Sequence, residues 1–169
     1  MSLTIGTDTY ISLDDAQEYL SENYISTDEK LIAWNALSDM DKEILLRKAL
    51  KTIEAQPYTG FKACSTQTLE FPRALYTSIP QDIYAPSQIW PDNWYVQSEV
   101  PSAVKYAQCE IAFETASGTS NRVKLQRQGV KSFSLGNLSE TYSGASNSIV
   151  SHEAKELLKP YIGGGYRIA

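Results

Sequence analysis

The chain has 169 residues, 42% of them hydrophobic and 21% charged, and a chain of this length buries about 70% of its unfolded surface in one domain without disulfide or metal staples. No apolar run reaches the roughly 20 residues of a membrane-spanning helix, and Met1-Ser2-Leu3-Thr4 lacks the basic start and apolar stretch of a signal peptide, so the expectation is a protein that stays in the cytoplasm in which it is made. The net charge of −5 is uneven, with eleven acids against five bases over residues 1–60 and four against seven over 111–169; such opposed ends suit head-to-tail contact between copies, and equally a plain solvated surface.

The first third reads as three helices. Ser12 precedes Leu13-Asp14-Asp15, a cap followed by acids that oppose the positive helix end, and Leu13, Ala16, Leu20 and Tyr24 fall on one face. Ser26-Thr27-Asp28-Glu29 has capping-box spacing, with Ala33, Ala36, Leu37 and Met40 at helical intervals and Trp34 beside them. Ser38-Asp39-Met40-Asp41 opens a third helix with Leu46, Ala49, Leu50 and Ile53 inward, ended by Pro57 and Gly60.

Residues 61–73 read as extended, Leu69 and Phe71 alternating with polar neighbours up to Pro72. Next comes a long irregular stretch, 74–99. Pro80, Pro86 and Pro91 exclude a continuous helix there, while Tyr76, Tyr84, Trp90, Trp94 and Tyr95 are rings that ordinarily need burial. Pro101 suits the first position of a fourth helix, with Val104, Ala107, Ile111 and Phe113 inward and Gly118 closing it. From 122 to 142, Val123 and Leu125, then Val130, Phe133 and Leu135, alternate around Gly129 and Gly136 as a β-hairpin or ribbon. Residues 143–148 have linker composition, and a short helix from Ser151 to Lys159 ends at Pro160 and Gly163-Gly164-Gly165. The expected fold is mainly α, a helical bundle with a small β-ribbon and a C-terminal docking helix. Residues 1–142 form the body, with the loop at 74–99 and the ribbon at 122–142. Residues 143–169 form a flexible linker and docking segment.

No set of groups with complementary catalytic roles is visible. His152 is the single histidine and follows a capping serine. Ser-His-Asp chemistry would want an elbow such as GxSxG, and none is present. Gly6-Thr7-Asp8 and Gly163-Gly164-Gly165 lack the phosphate-loop patterns. Asp14-Asp15 and Asp39/Asp41 sit at helix starts, where capping explains them. Cys64 and Cys109 are far apart and outside any CxxC pair, so they propose no metal or disulfide framework. The expectation is no enzyme, no cofactor and no metal. Arg122, Lys124, Arg127 and Lys131 form the one basic set, with no acid between Glu114 and Glu140. On a ribbon, Arg122 and Lys124 would share one face. They could meet a phosphate backbone or an acidic partner, or simply keep an exposed face solvated.

Taken in order, these motifs resemble one family across nearly the whole chain. Trp34-Asn35-Ala36-Leu37-Ser38, Asp41-Lys42-Glu43 and Leu46 to Ile53 resemble its helical opening. Gln67-Thr68-Leu69-Glu70-Phe71-Pro72-Arg73 is similar to its Gln-x-Leu-x-aromatic-Pro-Arg motif. Val100-Pro101-Ser102-Ala103-Val104-Lys105 resembles its next helix. Val130 to Gly136, Tyr142 and Leu157-Leu158-Lys159-Pro160-Tyr161 resemble its ribbon and closing helix. The family is that of the head–tail connector (adaptor, or head-completion) proteins of tailed bacteriophages, also labelled DnaT-like single-strand-binding proteins. The resemblance implies a structural subunit of the virion neck. It forms a ring, usually of twelve copies, between the portal and a stopper or tail-completion protein, and extends the DNA channel with transient, non-specific contact to the genome. It implies neither cofactor nor catalytic residue. It places the portal against Leu157, Leu158, Tyr161 and Ile162, and the charge of the ribbon leads to the expectation that Arg122, Lys124, Arg127 and Lys131 lie near the channel or an adjoining ring. The stretch 74–99 is longer than is usual in that family.

Overall fold

A computed structural model of the chain describes residues 3–76, 94–118, 132–135, 138–141, 149 and 151–163. Three helices open it, each started by a side chain that satisfies free backbone N–H groups. Helix α1 spans Leu13–Asn23, and Ser12 Oγ accepts from Asp15 N at 3.1 Å. Helix α2 spans Glu29–Asn35, and its cap is Asp28, whose carboxylate accepts from Lys30 N and Leu31 N. Helix α3 spans Asp39–Glu54, with Ser38 Oγ accepting from Asp41 N at 3.2 Å.

Ala16 and Leu20 of α1, and Leu46, Ala49, Leu50 and Ile53 of α3, are buried, as their spacing predicts. In α2 the inward residues are Leu31 and Trp34, whereas Ala36 is exposed and Met40 is 66% exposed. The apolar intervals over 33–40 span a break between two helices. α2 stops at Asn35 and α3 starts at Asp39 with its own cap, so the helical period does not carry across the break.

Helix α4, Ser102–Ala116, is the centre of the body, and every residue from Ala107 to Phe113 is buried. A helix buried all round packs on several sides, and α4 contacts α1, α2, α3 and α5. Its one uncharged polar residue in that run, Gln108, is fully satisfied. The amide donates to Leu46 O (2.9 Å) and Thr9 Oγ1 (3.0 Å), and Oε1 accepts from Tyr10 N (2.9 Å). One side chain thereby ties the N-terminal segment to α3 and α4 at no desolvation penalty.

Helix α5 spans His152–Leu158 and starts at Ser151, whose Oγ accepts from Ala154 N at 3.1 Å. The sequence suggests a docking segment for another protein, but α5 packs on α4 of its own chain. Leu158 is fully buried, and Leu157, Tyr161 and Ile162 pack partly buried against the core. The chain that follows is anchored too: Tyr161 O accepts from Thr59 N at 2.8 Å, and Gly163 N donates to Pro57 O at 2.7 Å. Of these apolar groups Leu158 is taken up entirely by the chain's own core, while Leu157, Tyr161 and Ile162 keep part of their surface exposed.

Two small antiparallel sheets complete the described structure. Strands β1 (Phe61–Lys62), β2 (Arg73–Tyr76) and β3 (Trp94–Val96) lie in that order. Strands β4 (Ser132–Leu135) and β5 (Leu138–Thr141) form a separate hairpin, Leu135 opposite Leu138. Among the described residues the fold is therefore mainly helical, with a small three-stranded antiparallel sheet and a two-stranded hairpin. Residues 74–76 and 94–96, read as parts of an irregular stretch, are paired strands. The residues 77–93 between them, the linker at 143–148 and the basic half of the ribbon (122–131) lie outside the described residues.

Candidate nucleic-acid contact surface on the sheet

The Gln67–Arg73 motif builds the sheet's support. Gln67 closes the loop on itself: Oε1 accepts from Cys64 N at 3.0 Å, and Nε2 donates to Leu69 O (2.8 Å) and Pro72 O (2.9 Å). Leu69 and Phe71 point into the core. Arg73 is buried on the inner side of β2. Its Nε donates to Thr59 O (2.9 Å), Nη2 donates to Gly60 O (2.8 Å), and Nη1 bonds the Glu70 carboxylate. The guanidinium also lies 5.5 Å from the Tyr58 ring and 5.9 Å from that of Phe71. It thereby holds the approach to β1 against β2. Gly60 has φ +74°, and a Cβ there would stand 2.0 Å from Ala74 O, so only glycine permits this close approach.

A second anchor fixes the loop to α3. Tyr10 Oη donates to the Glu54 carboxylate and accepts from Phe71 N at 3.1 Å, while the other Glu54 oxygen accepts from Glu70 N at 3.0 Å. Burial raises the Glu54 carboxyl above its ordinary range, and burial together with Glu54 pushes the Tyr10 phenol up.

With its inner side held in this way, the sheet presents a particular outer face. Tyr76 stands opposite Trp94, and Ala74 opposite both Phe61 and Val96. Side chains alternate along strands, so Phe61, Ala74, Tyr76, Trp94 and Val96 share one face, and Arg73 and Leu75 turn inward. The Trp94 ring lies 5.5 Å from Phe61 and 5.8 Å from Tyr76, a continuous row of three rings. Phe61 is 61% and Tyr76 59% exposed. Rings of this size are ordinarily covered, and a contiguous exposed set marks a contact surface. Phe61 is tilted 33° and Tyr76 stands 78° to the Trp94 plane, so planar ligands would stack on the rings one at a time. Lys62, paired opposite Arg73, turns to the other side of the sheet from Phe61, its ammonium 3.5 Å from Glu70 and donating to Thr68 O at 3.0 Å.

Arg122, Lys124, Arg127 and Lys131 lie outside the described residues. Leu157, Leu158, Tyr161 and Ile162 lie along the α5 end of the body, against the core. The aromatic row escaped notice because its members are 33 residues apart at the extremes, and only the register of β1, β2 and β3 brings them together. Tyr76 and Trp94 had the opposite expectation, burial. Their usable signal was the spacing of aromatics on either side of a proline-rich stretch, which a hairpin would pair. His152 is exposed at the start of α5. Among the described residues no group of three or more His, Cys, Asp or Glu is placed to hold a metal ion, and no helix is long and apolar enough to cross a membrane.

A family model described as "Putative DnaT-like ssDNA binding protein" matches residues 2–169, and the chain belongs to that family. No curated protein and no solved structure matches it.

Proposed function

We propose that the chain is a non-catalytic protein that binds single-stranded DNA without base preference, stacking successive bases on Phe61, Trp94 and Tyr76. The observation that carries this reading is the row of three rings on one sheet face, with Phe61 and Tyr76 exposed and Trp94 half-buried between them. The family description points to the same ligand. Base–aromatic stacking is worth about 1–3 kcal/mol per base and tolerates any sequence, because every base has a π-face. Phosphate contact would come from the basic set Arg122, Lys124, Arg127 and Lys131. Titrating the protein with a labelled oligothymidine tests this. Replacing Phe61 and Tyr76 together by alanine should weaken binding at least about tenfold, with the melting temperature unchanged. Wild-type protein that binds no oligonucleotide at low salt would overturn the reading.

A second reading is a structural subunit of the phage neck, a ring between portal and tail that extends the DNA channel. The order of motifs from Trp34 to Tyr161 favours it, as does the opposed charge of the two ends, because a head-to-tail ring needs two different complementary surfaces. Negative-stain images at high concentration, or with portal added, separate the readings. Rings of constant copy number support the neck role, and monomers under every condition oppose it.

A further inference from the structure

A groove of about 570 Å³ opens where α1, α4 and α5 meet. Tyr19, Tyr24 and Leu157 form its walls, and Glu110, Glu153 and Glu156 line it. Glu110 is nearly fully buried, its carboxylate accepting from Tyr19 Oη at 2.9 Å and Tyr24 Oη at 2.7 Å. Two cations of the neighbourhood are engaged: Lys30 is paired with Glu114 and Lys159 with Glu156. Glu110 and Glu153 therefore leave an excess of negative charge over an apolar floor. Burial, reinforced by Glu153, raises the Glu110 carboxyl above its ordinary range, and an arriving cation would relieve that penalty.

The same chain carries the complement. Residues 122–131 read Arg-Val-Lys-Leu-Gln-Arg-Gln-Gly-Val-Lys, four cations alternating with Val123, Leu125 and Val130, with no acid between Glu114 and Glu140. Apolar side chains suit the tyrosine and leucine walls, and the cations suit the glutamates. Matching surfaces of opposite sign on one chain favour association between copies and fix their register. We propose that this groove receives residues 122–131 of a second copy, making a head-to-tail contact. The inference rests on the assembly reading above and names the surface that reading needs. Two different patches meet in such a contact, so it can propagate around a closed ring.

The test uses the full chain and two charge-reversed variants. One carries Glu153→Lys and Glu156→Lys, both exposed positions on α5; the other carries Arg122→Glu, Lys124→Glu and Arg127→Glu. Self-association is read by sedimentation velocity across concentration and salt, with melting temperature as the check on folding. Each variant alone should associate at least about tenfold more weakly than wild type. An equimolar mixture should recover association, since each altered groove then meets an altered segment of opposite sign. Variants that associate like wild type overturn the groove as the acceptor while leaving the assembly reading in place. A mixture that recovers nothing overturns the pairing. Wild type that stays monomeric at every concentration overturns both, and cross-links confined within single chains would place the segment in its own groove and overturn the contact between copies.

Discussion

At the scale of single residues, Arg73 does the most. Its guanidinium donates to the Thr59 and Gly60 carbonyls of the turn that joins α3 to the sheet, and to the carbonyl and carboxylate of Glu70 in the loop before β2. Removing one partner of a buried charged pair leaves the others unsatisfied, so Arg73→Ala should cost about 2–4 kcal/mol in urea unfolding. Arg73→Lys should recover little, because an ammonium cannot reproduce the planar fork. An unchanged denaturation midpoint would show the contact to be worthless. Glu110 provides a pH test. Burial raises its carboxyl above the ordinary value of 4.5, so the protonated form is favoured in the folded state. The associated stability is fully present below 4.5 and is lost as pH rises through the raised value. Glu110→Gln removes that titration. The stability of this variant relative to wild type should therefore increase as pH climbs through that window, and a constant difference would contradict the assignment.

At the scale of elements, the helices were legible and the sheet was not. Ser12, Ser38 and Ser151 each announce a start, and each is observed as the cap. Burial of Leu46, Ala49, Leu50 and Ile53 follows from a 3.6-residue period sustained over a 16-residue helix. Strands of two, four and three residues are too short to show a period, and β2 and β3 pair across residues 77–93. Their register, and with it the aromatic row, is set by tertiary contacts such as those of Arg73. Composition identified the apolar side of α5 but could not say which surface it covers. Hydrogen exchange checks the answer. Ala154 to Leu158 should be protected in the isolated chain to a degree comparable with α4. Leu158→Ala should cost about 2–5 kcal/mol by leaving a cavity on α4, and exchange as fast as in an unstructured peptide would show that α5 is free.

At the scale of the whole molecule, the two functional readings make different demands on salt. Contact with phosphates releases counterions, so binding of single strands should fall linearly on a log–log plot against salt, with a slope set by the number of phosphates engaged. Neutralising Arg122, Lys124, Arg127 and Lys131 should flatten that slope while leaving the stacking term of Phe61 and Tyr76 intact. If the slope is unchanged, the basic set does not touch DNA. The net charge of −5 conceals this, because the acids of the first 60 residues outweigh the local basic set. Whole-chain charge was thus the least informative number in the sequence, and its distribution the more useful one.

The central position of α4 also sets the order in which the chain can be made. Trp34, Leu46 and Ile53 are all synthesised well before Ser102–Ala116, yet α4 provides the wall that α1, α2 and α3 pack against. Gln108, which anchors Tyr10 and the Leu46 carbonyl, emerges about a hundred residues after the N-terminal segment it holds. At translation rates of about 5–20 residues per second, the first three helices spend several seconds with their apolar sides uncovered on the ribosome. A nascent chain halted before residue 102 should therefore be protease-sensitive and bind chaperones, and one extended past residue 118 with its tail clear of the exit tunnel should acquire protection in a single step.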